Sequence, residues 1–498
     1  MNRTTSFVRV AFVAILLTSI VAAGCVMSQN PLSGRSRAYG YSWQQEIELG
    51  READSQIQAE YGLYEDASLA AYVDSLGQAL VGVSHLRRAD ASDEFRATQF
   101  HFRVLDSPVV NAFALPGGYV YVTRGLLAHT ENEAQLAVVI GHEIGHVAGR
   151  HGSKRAASQM LGQVLLIGGA IGGQVLFGDE VGSSILQLGS TAAQLLFLSY
   201  GRDDERESDD LGVEYASLAG YDAAQGAAFF RSLKRLGDQS GQSLPGFLST
   251  HPDPGEREQT VARLGAEWAS RVPVSQVKRE RLIAGLSGMV AGDNPRAGYT
   301  GGNMFYHPDL ALQFPVPTGF ETVNQASRVV MVGPEQKAIL QFTIENQATA
   351  REAADAFSTQ EGLTVVQSGI GSSNGLSANF VVAEAVAEDG TAYRMRAYFV
   401  GYGGRVYSFT GFSLQADFAR FEPQFVRTMQ GFGPLRDAAI LGIQPSRITI
   451  ARVDRPTALR TLVGSAPAAG FTAEGIAILN QRNLDDTLPS GTSVKLVR

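Results

Sequence analysis

The sequence predicts a multidomain chain: a mainly α-helical first part with a small edge-exposed sheet, an α+β domain built on an antiparallel sheet, and a small C-terminal module. Three observations predict this. The 498 residues exceed what one hydrophobic core accommodates. Apolar residues recur at three- and four-residue steps through much of the stretch before residue 291, as in amphipathic helices. Two-residue alternation takes over from residue 304, as in half-buried strands. A hydrophobic share of 44% with 18% charged residues is that of a soluble globular protein, and a net charge of −8 without basic runs argues against a nucleic-acid partner.

Residues 1–24 form a targeting segment: Arg3 and Arg9 at a positive start, an uncharged run from Val10 to Val21, then Ala22-Ala23-Gly24. Cys25 follows, the sole cysteine, so disulfides play no part. A small-residue motif closing on a cysteine resembles the bacterial lipoprotein signal, which implies lipidation of Cys25 and a membrane-surface anchor. Val26 carries no acidic retention signal, which favours the outer membrane on the periplasmic side. The alternatives are an ordinary secretory signal with an incidental cysteine, or an uncleaved anchor helix.

The first domain is expected over 25–291. Two helices open it, Glu46 to Tyr61 and Leu69 to Val83. Phe100, Phe102 and Val104 then alternate as a strand. Next comes Asn111-Ala112-Phe113-Ala114-Leu115-Pro116-Gly117-Gly118, leading into Tyr119 to Thr123. Pro116 cannot donate to a central ladder and the glycine pair permits a tight turn, so this is expected to be a sheet edge. Such an edge can bind an extended peptide as an added strand; a plain edge hairpin is the alternative.

Helix 131–150 follows, ending in Gly141-His142-Glu143-Ile144-Gly145-His146. Residues four apart differ by about 40° around a helix, so His142 and His146 face the same way and can share one zinc ion. Glu143 stands beside them, placed to take a proton from a water the metal activates. Gly149 and His151 invite comparison with HExxHxxGxxH, but the third histidine of that pattern belongs at position 152, which is glycine here. One residue turns a helical side chain by about 100°, so His151 is expected to be structural or to support the ligands from behind. Residues 156–198 are apolar and predict a helical hairpin over the site or dipping into a lipid surface. In the acidic segment after Tyr200, Glu205 and Asp209 are again four apart. Glu205 can complete a three-ligand set with an open fourth position, Asp209 can hold the far nitrogen of a ligand histidine, and Glu207 is the competing ligand.

These three elements in this order resemble the gluzincin endopeptidase family that includes the CAAX prenyl proteases and the bacterial HtpX- and BepA-type proteases. The resemblance covers roughly residues 42–290. It implies a zincin-type domain, one Zn2+ per chain held by His142, His146 and Glu205 rather than Glu207, and a substrate cleft lined by Asn111, Ala112, Phe113, Ala114, Gly117 and Gly118. Thr250-His251-Pro252, with Arg257 after it, resembles a further family element. His251 there can stabilise the oxyanion or occupy the metal's open position; a turn capping a helix over 255–271 is the bland alternative.

Residues 292–303 are expected to be a linker. The α+β domain over 304–435 shows no ligand or acid–base spacing, which predicts a binding or spacing role. Residues 447–498 run strand, helix, helix, strand and resemble a LysM-type module, which in its family binds peptidoglycan; a small accessory fold is the alternative. The expected activity is zinc-dependent cleavage of unfolded or misassembled envelope polypeptides, and the rival is a zinc-bearing chaperone that rarely cuts.

Overall fold

The computed structural model describes residues 26–157, 200–240, 247, 251, 254–387 and 390–498. The expected signal segment, Cys25, nearly all of the apolar 156–198 stretch, Thr250 and Pro252 lie outside them.

A hairpin of β1 (Val26–Gln29) and β2 (Ser36–Tyr39) leads into α1 (Trp43–Tyr61), which starts on a capping box formed by Ser42 and Gln45. That box sets the start three residues before the first position with clear apolar periodicity. Helix α2 (Ala67–Val83) is capped by Asp66. Strands β3 (His101–Leu105), β4 (Ala112–Leu115) and β5 (Tyr119–Thr123) form a three-stranded sheet in the order β3-β5-β4, with β4 antiparallel to β5 at the edge. The strand pleat divides β4 between two cores. Ala112 and Ala114 join the main cluster, whereas Phe113 and Leu115 join Tyr121 and the α1 residues Ala53 and Ile57 on the other face.

Helix α3 (Arg124–His129) precedes α4 (Glu133–Gly149), all of whose residues are buried. Asn132 caps α4 by accepting from the Gln135 N–H, and Arg150 ends it in the left-handed conformation at φ +56°. Helices α5 (Arg202–Leu218), α6 (Gly226–Ser240) and α7 (Pro254–Ala269) complete the helical layer.

The middle domain is a separate core. Its seven-stranded antiparallel sheet runs, edge to edge, Leu363–Ser373, Leu376–Val386, Ala392–Tyr402, Arg405–Leu414, Ala338–Glu345, Arg328–Val332 and Glu321–Asn324. A second, four-stranded sheet includes Tyr299–Gly301, so the end of the 292–303 stretch is a strand rather than a bare connection. Buried aromatics, among them Phe314, Phe342, Phe409 and Phe425, fill this core, which shares no residue with the cluster around α4.

The C-terminal segment has the expected order, with Ile448–Arg452 antiparallel to Ser493–Val497 around two short helices. It is not a detached module, because Ile448, Leu459, Ile476, Leu479 and Leu496 belong to the same buried cluster as α4. Lys495 is fully buried and donates to the Ala128 and Thr130 carbonyls at 2.7 and 2.8 Å, with Glu131 3.0 Å away. The chain leaves this first core at Ala291 and returns beside it: Ala291 N–H donates to Ser446 O, and Ile448 N–H to Met289 O, both at 2.8 Å. The middle domain is therefore inserted into a core closed by the chain's last fifty residues.

Candidate active site

Two helices that touch backbone to backbone build the site. A Cβ added to Gly212 of α5 would lie 2.8 Å from the His142 N, and one added to Gly141 of α4 would lie 2.9 Å from the Gly212 O. A Cβ on Gly145 would lie 3.2 Å from Ser208 and Leu211, a close but less tight approach. Only glycine permits that approach, and the approach brings the α5 carboxylates to the α4 imidazoles.

His142 Nε2 and His146 Nε2 lie 2.9 Å apart, and the Glu205 oxygens are 3.5 Å from each. His251 joins them from the segment before α7, its Nδ1 2.9 Å from Glu205 Oε1 and 3.2 Å from His142 Nε2. All four side chains are buried, with one ligand atom of each inside a 4.8 Å span. Glu143 is fully buried beside them, 3.6 Å from His251 Nε2, and among the described residues both of its oxygens lack a hydrogen-bond partner, as does His251 Nε2. Buried polar atoms left unpaired are costly unless a ligand meets them. Nitrogen and carboxylate donors converging beside such orphaned atoms fit a zinc ion.

The electrostatics agree with that fit. Burial holds His142 down at about 4, helped by the Arg257 charge and opposed by Asp209, and burial with its histidine neighbours holds His146 well below its ordinary value. Both imidazoles are thus neutral, the form that binds metal. Burial pushes Glu143 up to about 7 against the pull of His251. Burial also works against ionisation of Glu205, but His251, His142 and Arg257 outweigh it and keep that carboxyl below its usual range.

Behind this group, Asp209 Oδ1 is 2.9 Å from His142 Nδ1. Arg257 donates to both Asp209 oxygens through Nε and Nη2, and its guanidinium lies 4.3 Å over the Phe230 ring. Arg257 and His142 hold Asp209 at about 2 although burial opposes its charge. Tyr200 stacks on the His146 ring at 3.9 Å. Arg257 follows His251 in the family-like element of the sequence, but nothing local there marks its contact with Asp209, and Tyr200 carries no sequence signal at all. Arg257 reaches partners 48 and 115 positions away, and no local spacing reveals such a contact.

The six edge residues are placed unequally. Ala114 lies on the site's side of β4 and lines a small cavity with His146 and Tyr200. Asn111 pairs its backbone with Thr123, and its Oδ1 is buried without a partner. Ala112 is buried in the main core and Phe113 points to the opposite face. A Cβ on Gly117 would meet the Ile47 Cα at 2.4 Å, and one on Gly118 the Gln99 O at 2.9 Å. Their glycine identity answers to close packing against α1 and the residues before β3. The edge is also covered rather than open: all of β4 is buried, and Phe247 N–H donates to Val110 O just upstream.

Residues 72–264 match the model of Peptidase family M48. His142, His146, Glu205 and His251 all fall inside the matched stretch. The Beta-barrel assembly-enhancing protease of Yersinia pestis is 31% identical over 49% of this chain and 50% of its own length. That of Escherichia coli (strain K12) is 32% identical over 46% of this chain and 45% of its own. The Mitochondrial metalloendopeptidase OMA1 of Arabidopsis thaliana is 31% identical over 35% and 33% respectively. The chain spans about half the length of the assembly-enhancing proteases it matches.

Proposed function

We propose that the protein is a zinc-dependent endopeptidase of the cell envelope that cleaves unfolded or misassembled polypeptides there. The observation that carries the chemistry is the convergence of His142, His146 and Glu205 beside a buried Glu143 whose oxygens have no partner among the described residues. Zinc held by those three side chains supplies a polarised water and a Lewis acid for the scissile carbonyl. Glu143 accepts the proton of the attacking water and delivers it to the leaving amine. A carboxyl raised to about 7 suits both acts near neutral pH. Asp209 holds His142 by its outer nitrogen, with Arg257 fixing Asp209 in turn. An extended substrate would add to the β4 edge along Ala112–Leu115 only once the cover over that buried strand moves aside, and main-chain bonds would then supply affinity with little sequence preference.

The contacts of His251 with His142 and Glu205 support a self-blocked resting state in which this side chain must withdraw, after which it can steady the oxyanion. The same blockage favours the second reading, a zinc-bearing chaperone with little proteolysis. Glu143→Gln separates the two. If cutting is the function, the variant keeps its zinc and loses cleavage of casein and cellular activity together. Full cellular activity with zinc retained refutes proteolysis as the function.

The lipoprotein-like signal supports anchoring through Cys25 at the periplasmic face of the outer membrane. Among the described residues no helix is long and apolar enough to cross a membrane. Cys25→Ser should move the protein from the membrane fraction to the soluble periplasm. The strand–helix–helix–strand order of 447–498 supports peptidoglycan as a further partner, and failure to sediment with isolated peptidoglycan would dismiss that. An acidic net charge leaves nucleic acid without support as a partner.

A further inference from the structure

We propose that His151 and Glu207 form a relay that fixes the ligand His146 from behind, and that Gly149 and Arg150 are the turn that folds the His151 imidazole into place. The inference rests on the zinc reading of the site and extends it to two side chains that lie outside the ligand group.

The geometry is a chain of contacts leading outward from His146. His151 Nδ1 lies 2.9 Å from His146 Nδ1, and His151 Nε2 lies 2.9 Å from Glu207 Oε2. Ser208 Oγ is 3.3 Å from His151 Nδ1, and Asp204 is more distant, 3.9 Å from Nε2. His146 points its Nε2 at the other ligands. With a metal there, its Nδ1 carries the hydrogen and needs an acceptor. His142 meets the same need with Asp209, whereas among the described residues the His146 Nδ1 has the His151 ring and no carboxylate beside it. His151 Nδ1 must then accept, which puts its own hydrogen on Nε2, and that N–H donates to Glu207. Glu207 thereby acts on the ligand at one remove.

The local sequence is shaped for this contact. A Cβ on Gly149 would lie 2.3 Å from His151 Nε2, so a side chain there excludes the imidazole. Arg150 adopts φ +56° and sends the chain back under the end of α4. Such a conformation is unfavourable for a non-glycine residue. Arg150 is held in it by bonds to Glu46, Ser28, Gln29 and Tyr41, and by the Tyr39 ring 3.7 Å away. The residues that almost match a third-histidine motif and a second glutamate ligand thus share one task as a supporting pair. His151 and Glu207 are positioning residues, and the class of ligand they serve is a divalent metal bound through His146.

The test is zinc affinity of the full chain by chelator competition, read beside thermal unfolding of the metal-free forms. His151→Phe keeps a ring but no acceptor and should weaken zinc about 10- to 100-fold. His151→Asn places an amide oxygen near the Nδ1 position and should recover part of that loss. Gly149→Ala should weaken zinc by itself and add nothing when combined with His151→Phe. Glu207, with a side chain 44% exposed, tolerates change, so Glu207→Gln keeps the fold and should weaken zinc by a smaller factor. If His151→Phe lowers the metal-free Tm yet binds zinc like the wild type, the imidazole is mere packing and the relay is wrong. If His151→Phe does not fold, Gly149→Ala and Glu207→Gln decide, and wild-type affinity in both overturns the relay. A wild type that binds no zinc sinks the metal reading itself, a result distinct from unequal or equal affinities among the variants.

Discussion

Glu205 and Glu207 stand two positions apart on α5, and the helix turns them to different neighbours. Glu205 is buried between His142, His146 and His251, whereas Glu207 is half exposed against His151. Glu205→Ala should therefore abolish stoichiometric zinc, while Glu207→Ala should retain one zinc per chain with weakened affinity. Metal analysis showing the reverse pattern would reassign the third ligand. A second residue-scale effect lies away from the metal. Burial, with the Lys495 charge beside it, depresses His129 to about 3, and its Nδ1 has no partner. The unfolded imidazole takes up a proton near 6.5 while the folded one refuses it until about 3. Unfolding then binds the extra proton, so stability falls as pH drops through that window, by up to about 1.4 kcal/mol per pH unit for this group. His129→Phe should narrow the difference between urea midpoints at pH 7 and pH 5. An unchanged difference would clear His129 as its source.

At the scale of elements, the site depends on how closely α4 and α5 pack. Gly212→Ala places a methyl 2.8 Å from the His142 backbone nitrogen, and the helices can only move apart. That should cost about 1–3 kcal/mol and, because Glu205 and Asp209 ride on α5, weaken zinc as well. Equal zinc affinity in a destabilised Gly212→Ala would show that the carboxylates reach the imidazoles without close helix contact. Gly117→Ala separates packing from substrate binding in the edge turn. Its φ of +80° and the 2.4 Å approach to Ile47 predict a lowered Tm with an unaltered KM for casein in whatever fraction folds. A raised KM at unchanged Tm would place Gly117 in the cleft. The helix period and its four-residue repeats made the pairs His142/His146 on α4 and Glu205/Asp209 on α5 legible, because the members of each pair lie about one turn apart. The two-sided role of β4 was hidden, since the pleat sends Ala114 and Phe113 to cores whose other members lie far off in sequence.

At the scale of the molecule, the middle domain is an insertion and the C-terminal segment is part of the core around α4. Replacing residues 293–444 by a short glycine–serine linker should leave a folded, zinc-binding core, because Ala291 and Ser446 already meet through a 2.8 Å hydrogen bond. Ending the chain before residue 447 should instead expose the apolar residues around α4 and unpair Glu131 and the α3 carbonyls from Lys495, giving insoluble protein. Soluble, zinc-loaded protein from that truncation would show the segment to be a detachable module after all.

Sequence alone determined the helix–strand order, the change of period at the middle domain, and the placement of His142, His146, Glu205 and Asp209 on helix faces, since each follows from spacing within a few residues. The order of elements in 447–498 was legible for the same reason. Tertiary structure alone decided which contacts form across long separations. It brought Arg257 against Asp209, set His251 beside His142 and Glu205, packed Gly117 and Gly118 against neighbouring backbone, and closed the first core with the chain's last strand. Most telling is His151, one residue out of place for a ligand. The left-handed Arg150 and the missing side chain at Gly149 carry it back beneath His146, a path set by backbone geometry and burial rather than by periodicity.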